Sequence, residues 1–324
     1  VNTDNRSSKS LPEMTLNFSL RTVGEWRSFL DRTAKTPWTQ TFQYAIAVAN
    51  VAKQATQFVT IDRGAEVVGI VAIQKSSLGP FQSILINRGP LWLKGHETEQ
   101  NFLDFVAVLK KTYPKNIFRR FRWMPEWAPE SGVEFIESEF GYKKAQQSFE
   151  TLWLNLSPSL EDLRKSLDRK WRGHLNKSER SNIEVTVDFE GRHLDLFLQN
   201  YDLFKSKKQF DGPEGKFFKF EIQSALPFKD AMILWARIDR MPVAGVVIMK
   251  HGTSASYRMS WNSPEGRMAQ AHYLLIWKAI EVLKKQGIES FDLGGILADH
   301  EDTTGFNTFK LGLNGGHFKT EFFK

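Results

Sequence analysis

The feature that most constrains this chain is a β-hairpin written twice. Ile61-Asp62-Arg63 leads through a short turn into Val-Val-Gly-Ile-Val-Ala-Ile-Gln at 67–74. Ile238-Asp239-Arg240 leads through a shorter turn into Val-Ala-Gly-Val-Val-Ile-Met-Lys at 243–250, with Gly69 and Gly245 in matching places 176 residues apart. Runs rich in β-branched residues, separated by a polar turn, are hairpin signals. The order helix, helix, hairpin, strand, helix recurs before and after residue 150, so we expect a duplicated α/β unit with its boundary within 141–157.

The same reading places strands at 58–62, 67–74, 83–88, 151–156, 183–188, 231–239, 243–250, 254–261 and 289–293. Spacing at i, i+3, i+4 predicts helices over 24–32, 40–54, 97–112, 159–180, 191–206, 214–225 and 268–286. The helix at 159 opens on Ser159 with Asp162 three residues on, a capping-box spacing. Its apolar stripe is Leu160, Leu163, Leu167, Trp171 and Leu175, with Lys165, Arg169 and Arg172 together on another face.

At 324 residues, two domains of about 100–200 residues each are expected. The 26 Phe and 10 Trp need burial and exclude wholesale disorder. No apolar run approaches the roughly 18 residues of a membrane span. With no Cys there is no thiol nucleophile, disulfide or Cys-held metal. The seven His are scattered without paired ligand spacing, so no metal site is expected. Gly-x-Ser-x-Gly, Walker A and Gly-x-Gly-x-x-Gly are absent. The net charge of +7 favours an anionic partner such as RNA, a phosphorylated small molecule or a membrane surface. Residues 162–180 hold seven basic and three acidic residues, a large share of that excess. Residues 1–12 read as a polar, disordered tail without a secretory h-region.

The C-terminal fifth carries most of the chemistry. Phe291-Asp292-Leu293 runs into Gly294-Gly295-Ile296, then a polar loop with Asp299, Glu301, Asp302, Thr303 and Thr304. Gly305-Phe306-Asn307-Thr308-Phe309-Lys310-Leu311-Gly312 and Gly315-Gly316 follow. Glycines here allow close backbone approach to a ligand. We expect Lys310 to be presented by a turn, as a compact exposed charge suited to a phosphate or a developing oxyanion.

These residues resemble the C-terminal signature of the Fem (FemABX) peptidoglycan-bridge aminoacyltransferases. Other stretches match in the same order. Asn87-Arg88-Gly89-Pro90 is similar to that family's Arg/Lys-Gly-Pro turn. Thr151–Leu156 with 159–185 is similar to its Leu-rich strand and basic helix. Tyr257, Ser260 and Ala271-His272-Tyr273-Leu274-Leu275-x-Trp277 are similar to its Tyr-rich strand and following helix.

The resemblance covers about 30–324. It implies an α/β (α+β) chain of two tandem GNAT-like acyltransferase domains with mixed central sheets. Residues 13–150 would form the first domain, completed by 314–324, and 151–313 the second.

The resemblance also implies transfer of an amino acid from aminoacyl-tRNA to an amine of a peptidoglycan precursor's stem peptide. The donor is a substrate, and no cofactor is required. Lys310 and Phe309 would be catalytic. Arg88, Lys207, Tyr257, Ser260, Tyr273, Gly294 and Gly295 would bind substrate, and Lys165, Arg169 and Arg172 would bind tRNA. Expected partners are tRNA and a nucleotide- or lipid-linked precursor, with peripheral contact at the inner membrane surface. The expected state is a cytoplasmic monomer.

The chain departs from the family in places. The early helix, Gln43-Tyr44-Ala45-Ile46-Ala47-Val48, lacks the Lys some members set against the precursor's diphosphate. An acid before Pro is replaced by Met124, with Glu126 just after Pro125. The heptads of a coiled-coil arm are missing over 200–226.

Two other functions suit the residues. One is acyl-CoA-dependent N-acylation of a sugar, polysaccharide or other amine. Pro264-Glu265-Gly266-Arg267-Met268-Ala269-Gln270-Ala271 does not fit the Gly-rich pyrophosphate turn of such enzymes. The other is non-catalytic binding of RNA or wall precursor.

Overall fold

The computed structural model describes residues 12–19, 22–129, 134–138, 144–210, 212–296 and 304–323. The tail expected at 1–12 lies outside them but for residue 12, and so do Asp299, Glu301, Asp302 and Thr303.

Thirteen strands of the described residues form one sheet. They are β1 (Met14–Asn17), β2 (Ala55–Arg63), β3 (Glu66–Leu78), β4 (Phe81–Asn87), β5 (Leu91–Trp92), β6 (Arg119–Met124), β7 (Lys144–Asn155), β8 (Glu184–Asp188), β9 (Ala231–Ile238), β10 (Met241–His251), β11 (Ser254–Asn262), β12 (Ser290–Gly295) and β13 (Gly316–Phe323). The order across the sheet is β1-β2-β3-β4-β6-β13-β7-β12-β11-β10-β9-β8, with β5 laid on β3.

The same plan appears twice. An antiparallel run β2-β3-β4 is followed by helix Glu99–Thr112 and then β6, parallel to β4. An antiparallel run β9-β10-β11 is followed by helix Ala271–Lys285 and then β12, parallel to β11. A helix is the usual crossover for a parallel pair. The expected boundary at 150 falls inside β7. This strand pairs with β13 from Lys144 to Trp153 and with β12 from Thr151 to Asn155.

The two matched glycines both lie on the middle strand of a hairpin run, but the single register expected of them is not kept: Gly69 faces Ile61 across β2–β3, whereas Gly245 faces Trp235 across β9–β10 and Ile238 faces Met241. A Cβ would come within 2.9 Å of the Leu91 carbonyl at Gly69 and 2.5 Å of the Phe197 ring at Gly245. Each glycine lets another element lie directly on its hairpin.

Each repeat buries a separate core. Phe102, Phe105, Val106 and Leu109 of the first crossover helix pack on Ile61, Val71, Ile73 and Ile84. Leu274, Leu275, Ala279 and Leu283 of the second pack on Leu154, Leu234 and Val246. Trp38, from the first repeat, is buried with Phe197, Trp235 and Trp261 of the second.

Several boundaries differ from expectation. The helix expected over 159–180 is two, Leu160–Ser166 and Arg169–Glu179. Leu167 and Asp168 are extended, and the Asp168 carboxylate accepts the Lys170 and Trp171 N–H groups. That side chain offers the backbone a fresh N-cap, which ends one helix and starts another. Leu163, Leu167, Trp171 and Leu175 stay buried across the break, whereas Leu160 is exposed.

The helix expected over 268–286 runs from Ala271 to Lys285, and a separate short helix, Pro264–Met268, precedes it, with Gln270 at φ 59° between them. The C-terminal strand implied within 314–324 is β13, which pairs with β6 at Phe323 and with β7. β6 was not expected, because its inward residues, Phe121 and Trp123, are aromatic, its other positions are mostly arginine, and it has no β-branched residue.

Candidate functional site

The second parallel strand ends at a buried carboxylate. On β12, Asp292 accepts the Thr151 hydroxyl (2.6 Å) and the Gly294 N–H (2.8 Å) on one oxygen. Its other oxygen accepts Arg88 Nη1 at 2.6 Å. Arg88 follows β4 in the left-handed region, at φ 57°, with its N–H on the Met124 carbonyl. Its Nε and Nη2 form a fork on Glu126, at 2.7 and 3.0 Å. Phe149 and Trp153 lie against the guanidinium, at 5.1 and 5.6 Å from the ring centroids.

Both acids and the Arg88 side chain are buried. Burial works against Asp292 ionising, but Arg88 and the two donated hydrogen bonds outweigh it and hold the carboxyl below its ordinary range. Burial likewise opposes the Arg88 charge, and Asp292 and Glu126 more than compensate.

Lys310 lies next to this cluster. It is on helix Thr304–Leu311 and only 4% exposed, which corrects the expectation of an exposed turn lysine. Two aromatic rings and the close Gly294 backbone surround it. Nζ sits 4.1 Å from the Phe306 ring centroid and 5.7 Å from that of Tyr257. It is 3.4 Å from where a Cβ on Gly294 would stand. Nζ donates to the Gly295 carbonyl at 2.8 Å. Gly294, at φ 75°, turns the strand end so that this carbonyl is presented. Desolvation lowers the Lys310 pKa to about 7, with the Asp292 charge pulling the other way. The amine therefore exchanges protons near neutrality.

Phe309 faces a different wall. Its ring lies 5.0 Å from Tyr273, 5.8 Å from Trp171 and 6.2 Å from His272, and its carbonyl accepts Trp171 Nε1 at 2.9 Å. Trp171 belongs to the basic helix Arg169–Glu179, so that helix docks directly on the Phe309-Lys310 segment. Asp168 N–H on the Gly312 carbonyl, and the Asn314 amide on the Ser166 carbonyl, fix the junction. A Cβ on Gly312 would lie 2.8 Å from Trp171 Cδ1, so glycine is needed for this approach.

Burial pushes the His272 pKa down to about 4, leaving a neutral ring beside Phe309. The Tyr257 hydroxyl donates to Ser260 Oγ, and burial lifts its pKa to about 12, so it stays a donor.

Of the residues singled out from sequence, the structure gathers Gly294, Gly295 and Tyr257 around the Lys310 amine, with Ser260 behind Tyr257 and Phe309 against Tyr273 on the neighbouring wall. Arg88 is placed otherwise. Its donors are taken by Glu126 and Asp292, which makes it a positioning residue rather than a group facing substrate. Lys207 is exposed near the end of helix Leu194–Lys208, with Glu265 as its electrostatic neighbour. Lys165, Arg169 and Arg172 do not share one helix face. Lys165 pairs with Glu161 at 2.6 Å on the first short helix, Arg172 donates to the Lys165 carbonyl at 3.2 Å, and Arg169 is exposed.

Asp292, Thr151, Phe306 and Trp171 were not singled out as site residues. Asp292 was visible as the acid of Phe-Asp-Leu-Gly-Gly, but its link to Arg88, 204 residues away, has no local signal. Glu126 was seen only as an acid displaced past Pro125.

Comparison with known proteins agrees with this architecture. Residues 162–310 match the family model described as an acetyltransferase (GNAT) domain. The structure is similar to the crystal structure of FemX, with a TM-score of 0.77 at 12% identity over 93% of this chain and 96% of that chain. It is also similar to the C-terminal domain of an Agrobacterium fabrum protein named as a lysylphosphatidylglycerol synthetase (TM-score 0.59, 14% identity, 93% of this chain and 90% of that one). A tandem GNAT protein from the clavulanic acid biosynthesis pathway gives a TM-score of 0.53 at 12% identity over 96% and 98%. No curated protein matches the sequence. The chain thus has a FemX-like fold of two GNAT-like units, as the sequence implied.

Proposed function

We propose that this protein is an aminoacyltransferase that moves an amino acid from aminoacyl-tRNA to an amine of a peptidoglycan-precursor stem peptide. The observation that carries this reading is the placement of Lys310. It is a buried amine poised near neutrality, at the glycine-rich end of β12, with the basic helix docked through Trp171 onto Phe309 beside it.

The chemistry needs no protein nucleophile. The acceptor amine attacks the ester carbonyl, so a C–N bond forms and the carbonyl oxygen becomes an oxyanion. The C–O bond to the terminal ribose then breaks. Neutral Lys310 takes the proton that the acceptor nitrogen loses, and protonated Lys310 returns one to the ribose oxygen. The Gly295 carbonyl and the Phe306 and Tyr257 rings fix where that proton is carried. Tyr257 and the Gly294-Gly295 backbone lie next to Nζ, and we assign them, with Ser260 behind Tyr257 and Tyr273 beside Phe309, to orienting the substrate. Phe309 is offered to the acceptor end of the tRNA. Arg169, with Lys165 and Arg172, meets tRNA phosphates, and Lys207 meets the acceptor further out. A donor of this kind puts the reaction in the cytoplasm. No helix among the described residues is long and apolar enough to cross a membrane.

Coenzyme A is the competing donor, favoured by the acetyltransferase description of the matching family model. The local structure opposes it. Where such enzymes offer free backbone N–H groups to a pyrophosphate, this chain has helix Pro264–Met268. Pro264 has no N–H, the Gly266 N–H is taken by Ser263 Oγ, and a Cβ on Gly266 would lie 2.4 Å from the Val243 carbonyl.

Purified protein is to be incubated with a panel of tRNAs carrying labelled amino acids and with peptidoglycan precursor. Label is expected to pass from one or more tRNAs to the stem peptide. Absence of transfer across the panel, with N-acylation of an amine from acyl-CoA, overturns the reading.

A further inference from the structure

The edge of the first repeat carries a surface that the transfer site does not use. The β3–β4 hairpin ends in Leu78 and Phe81, paired across the Gly79-Pro80 turn. Because β6 runs parallel to β4, with the Gln82 N–H on the Phe118 carbonyl, Ile117 and Phe118 are set beside that turn. The Phe81 and Phe118 rings meet edge to face at 5.8 Å. Ile117 is 91% exposed and Leu78 is 82% exposed. Phe81 and Phe118 also face solvent. Scattered exposed apolar residues are ordinary, but four adjoining ones at a projecting tip are not.

The tip has a basic collar. Residues 105–125 contain six Lys or Arg and no acid, and residues 67–96 contain none either. Among the described residues, Lys75, Lys115, Arg119, Arg120 and Arg122 are not paired with carboxylates. Arg119 donates to the Pro114 carbonyl, and Lys75 lies over the Tyr113 ring. Lys75 is three residues behind Leu78 on β3, about 10 Å at ~3.3 Å per residue. Arg119 stands beside Gln82, one residue behind Phe81 and Phe118, so the apolar tip leads and the charges follow from one to three residues behind it.

We propose that this tip is a membrane-docking element, in which Leu78, Phe81, Ile117 and Phe118 enter the interface of an anionic bilayer while the collar meets its headgroups. A basic surface whose segments 67–96 and 105–125 contain no acid fits a negatively charged leaflet. Single-stranded RNA fits less well. The two most exposed residues are aliphatic and offer bases no ring to stack on, and the tip is a projection rather than a groove. β4 connects the tip to the transfer site. It runs from Phe81 to Asn87, with Arg88 next, about 23 Å at the same rise per residue.

The chain has no cysteine, so Ile117→Cys gives a single attachment point for a nitrobenzoxadiazole label in the full chain. Its fluorescence is expected to rise several-fold with vesicles containing phosphatidylglycerol, to change little with pure phosphatidylcholine, and to fall back at about 0.5 M salt. A label at Met268→Cys, exposed on the other repeat, is expected to stay flat. Adding Leu78→Asp and Phe81→Asp to the Ile117-labelled chain is expected to weaken vesicle binding about tenfold or more, with the melting temperature unchanged. No response to either vesicle, or an equal response to both, overturns the proposal. So does a response to tRNA without one to vesicles, which would assign the surface to RNA. None of these outcomes depends on transfer activity.

Discussion

Two cations are buried side by side at the end of β12, and they are treated in opposite ways. Arg88 has both a bidentate fork on Glu126 and a hydrogen bond to Asp292, so every charged neighbour holds it protonated. Lys310 has one neutral carbonyl, two aromatic faces and only the distant pull of the same Asp292, whose oxygens are already occupied. A guanidinium cannot give up its proton, so burying it requires full pairing. A lysine can, and leaving it underpaired moves its pKa toward neutrality. The fully paired cation ties β4, β6 and β12 together. The underpaired one is available for proton transfer.

The contrast is broken most directly at Lys310. Lys310→Met is expected to lower transfer by about 10²–10⁴, the range for a lost general acid–base group. Its stability is expected to hold or rise, because an imperfectly compensated buried charge is removed. The sign of the pH dependence follows from the lowered pKa. Between about 7 and the ordinary 10.5, the unfolded chain binds the proton and the folded amine does not. Folding stability contributed by this site therefore rises with pH across that window, with a slope up to about 1.4 kcal/mol per pH unit. Denaturant titrations of both proteins from pH 6 to 10 check this. A destabilised Lys310→Met protein at neutral pH would make the lysine a structural residue like Arg88.

Arg88→Met is expected to behave in the reverse way. It leaves Glu126 and Asp292 buried without their cation, a loss of about 3–5 kcal/mol read from urea unfolding. Arg88→Lys is expected to recover only part, since an ammonium cannot make the fork. If Arg88→Met keeps full stability but loses transfer, the guanidinium belongs to the reaction itself.

The shared acid sharpens the comparison with a smaller effect. Asp292 raises the Lys310 pKa against desolvation. Asp292→Asn is expected to let that pKa fall further, which moves the lower limb of the pH–rate profile to more acid pH. A limb that stays in place would show that the two groups are not coupled.

How much of this was legible beforehand depended on whether the signal was local. The paired hairpins were, because Gly69 and Gly245 sit in similar β-branched runs, although their cross-strand partners, Ile61 and Trp235, are not equivalent. Gly294, Gly295, Phe309 and Lys310 were, because they lie close together near the C-terminus. The burial of Lys310 was not. It depends on Tyr257, 53 residues upstream, and on a helix the Gly305–Gly312 spacing did not announce. The break at Asp168 was hidden because an N-cap aspartate in mid-pattern looks the same as a solvated helix residue until the backbone is seen. β6 was missed for a related reason. Arg119, Arg120 and Arg122 alternate with Phe121 and Trp123, so its period of two is carried by charge and aromatic size rather than by β-branching.

The exposed cations complete the series and carry the smallest expected effect. Lys165 is paired with Glu161 in solvent, Arg172 donates to a backbone carbonyl, and Arg169 is exposed. Surface pairs of this kind contribute about 0–1 kcal/mol to folding, so neutralising all three should leave the melting temperature nearly unchanged. Their effect should appear only against a polyanion. Each phosphate contact removed lowers the slope of log K against log salt by about one. Arg169→Gln alone is expected to reduce the tRNA-binding slope measurably. Lys165→Gln is expected to do less, because Glu161 already offsets that charge, and the triple variant should flatten the slope by at most about three. Filter-binding titrations from 50 to 300 mM salt measure it. An unaltered slope with normal transfer would mean that Trp171 brings this helix to Phe309 only to pack it, and that tRNA approaches over another face.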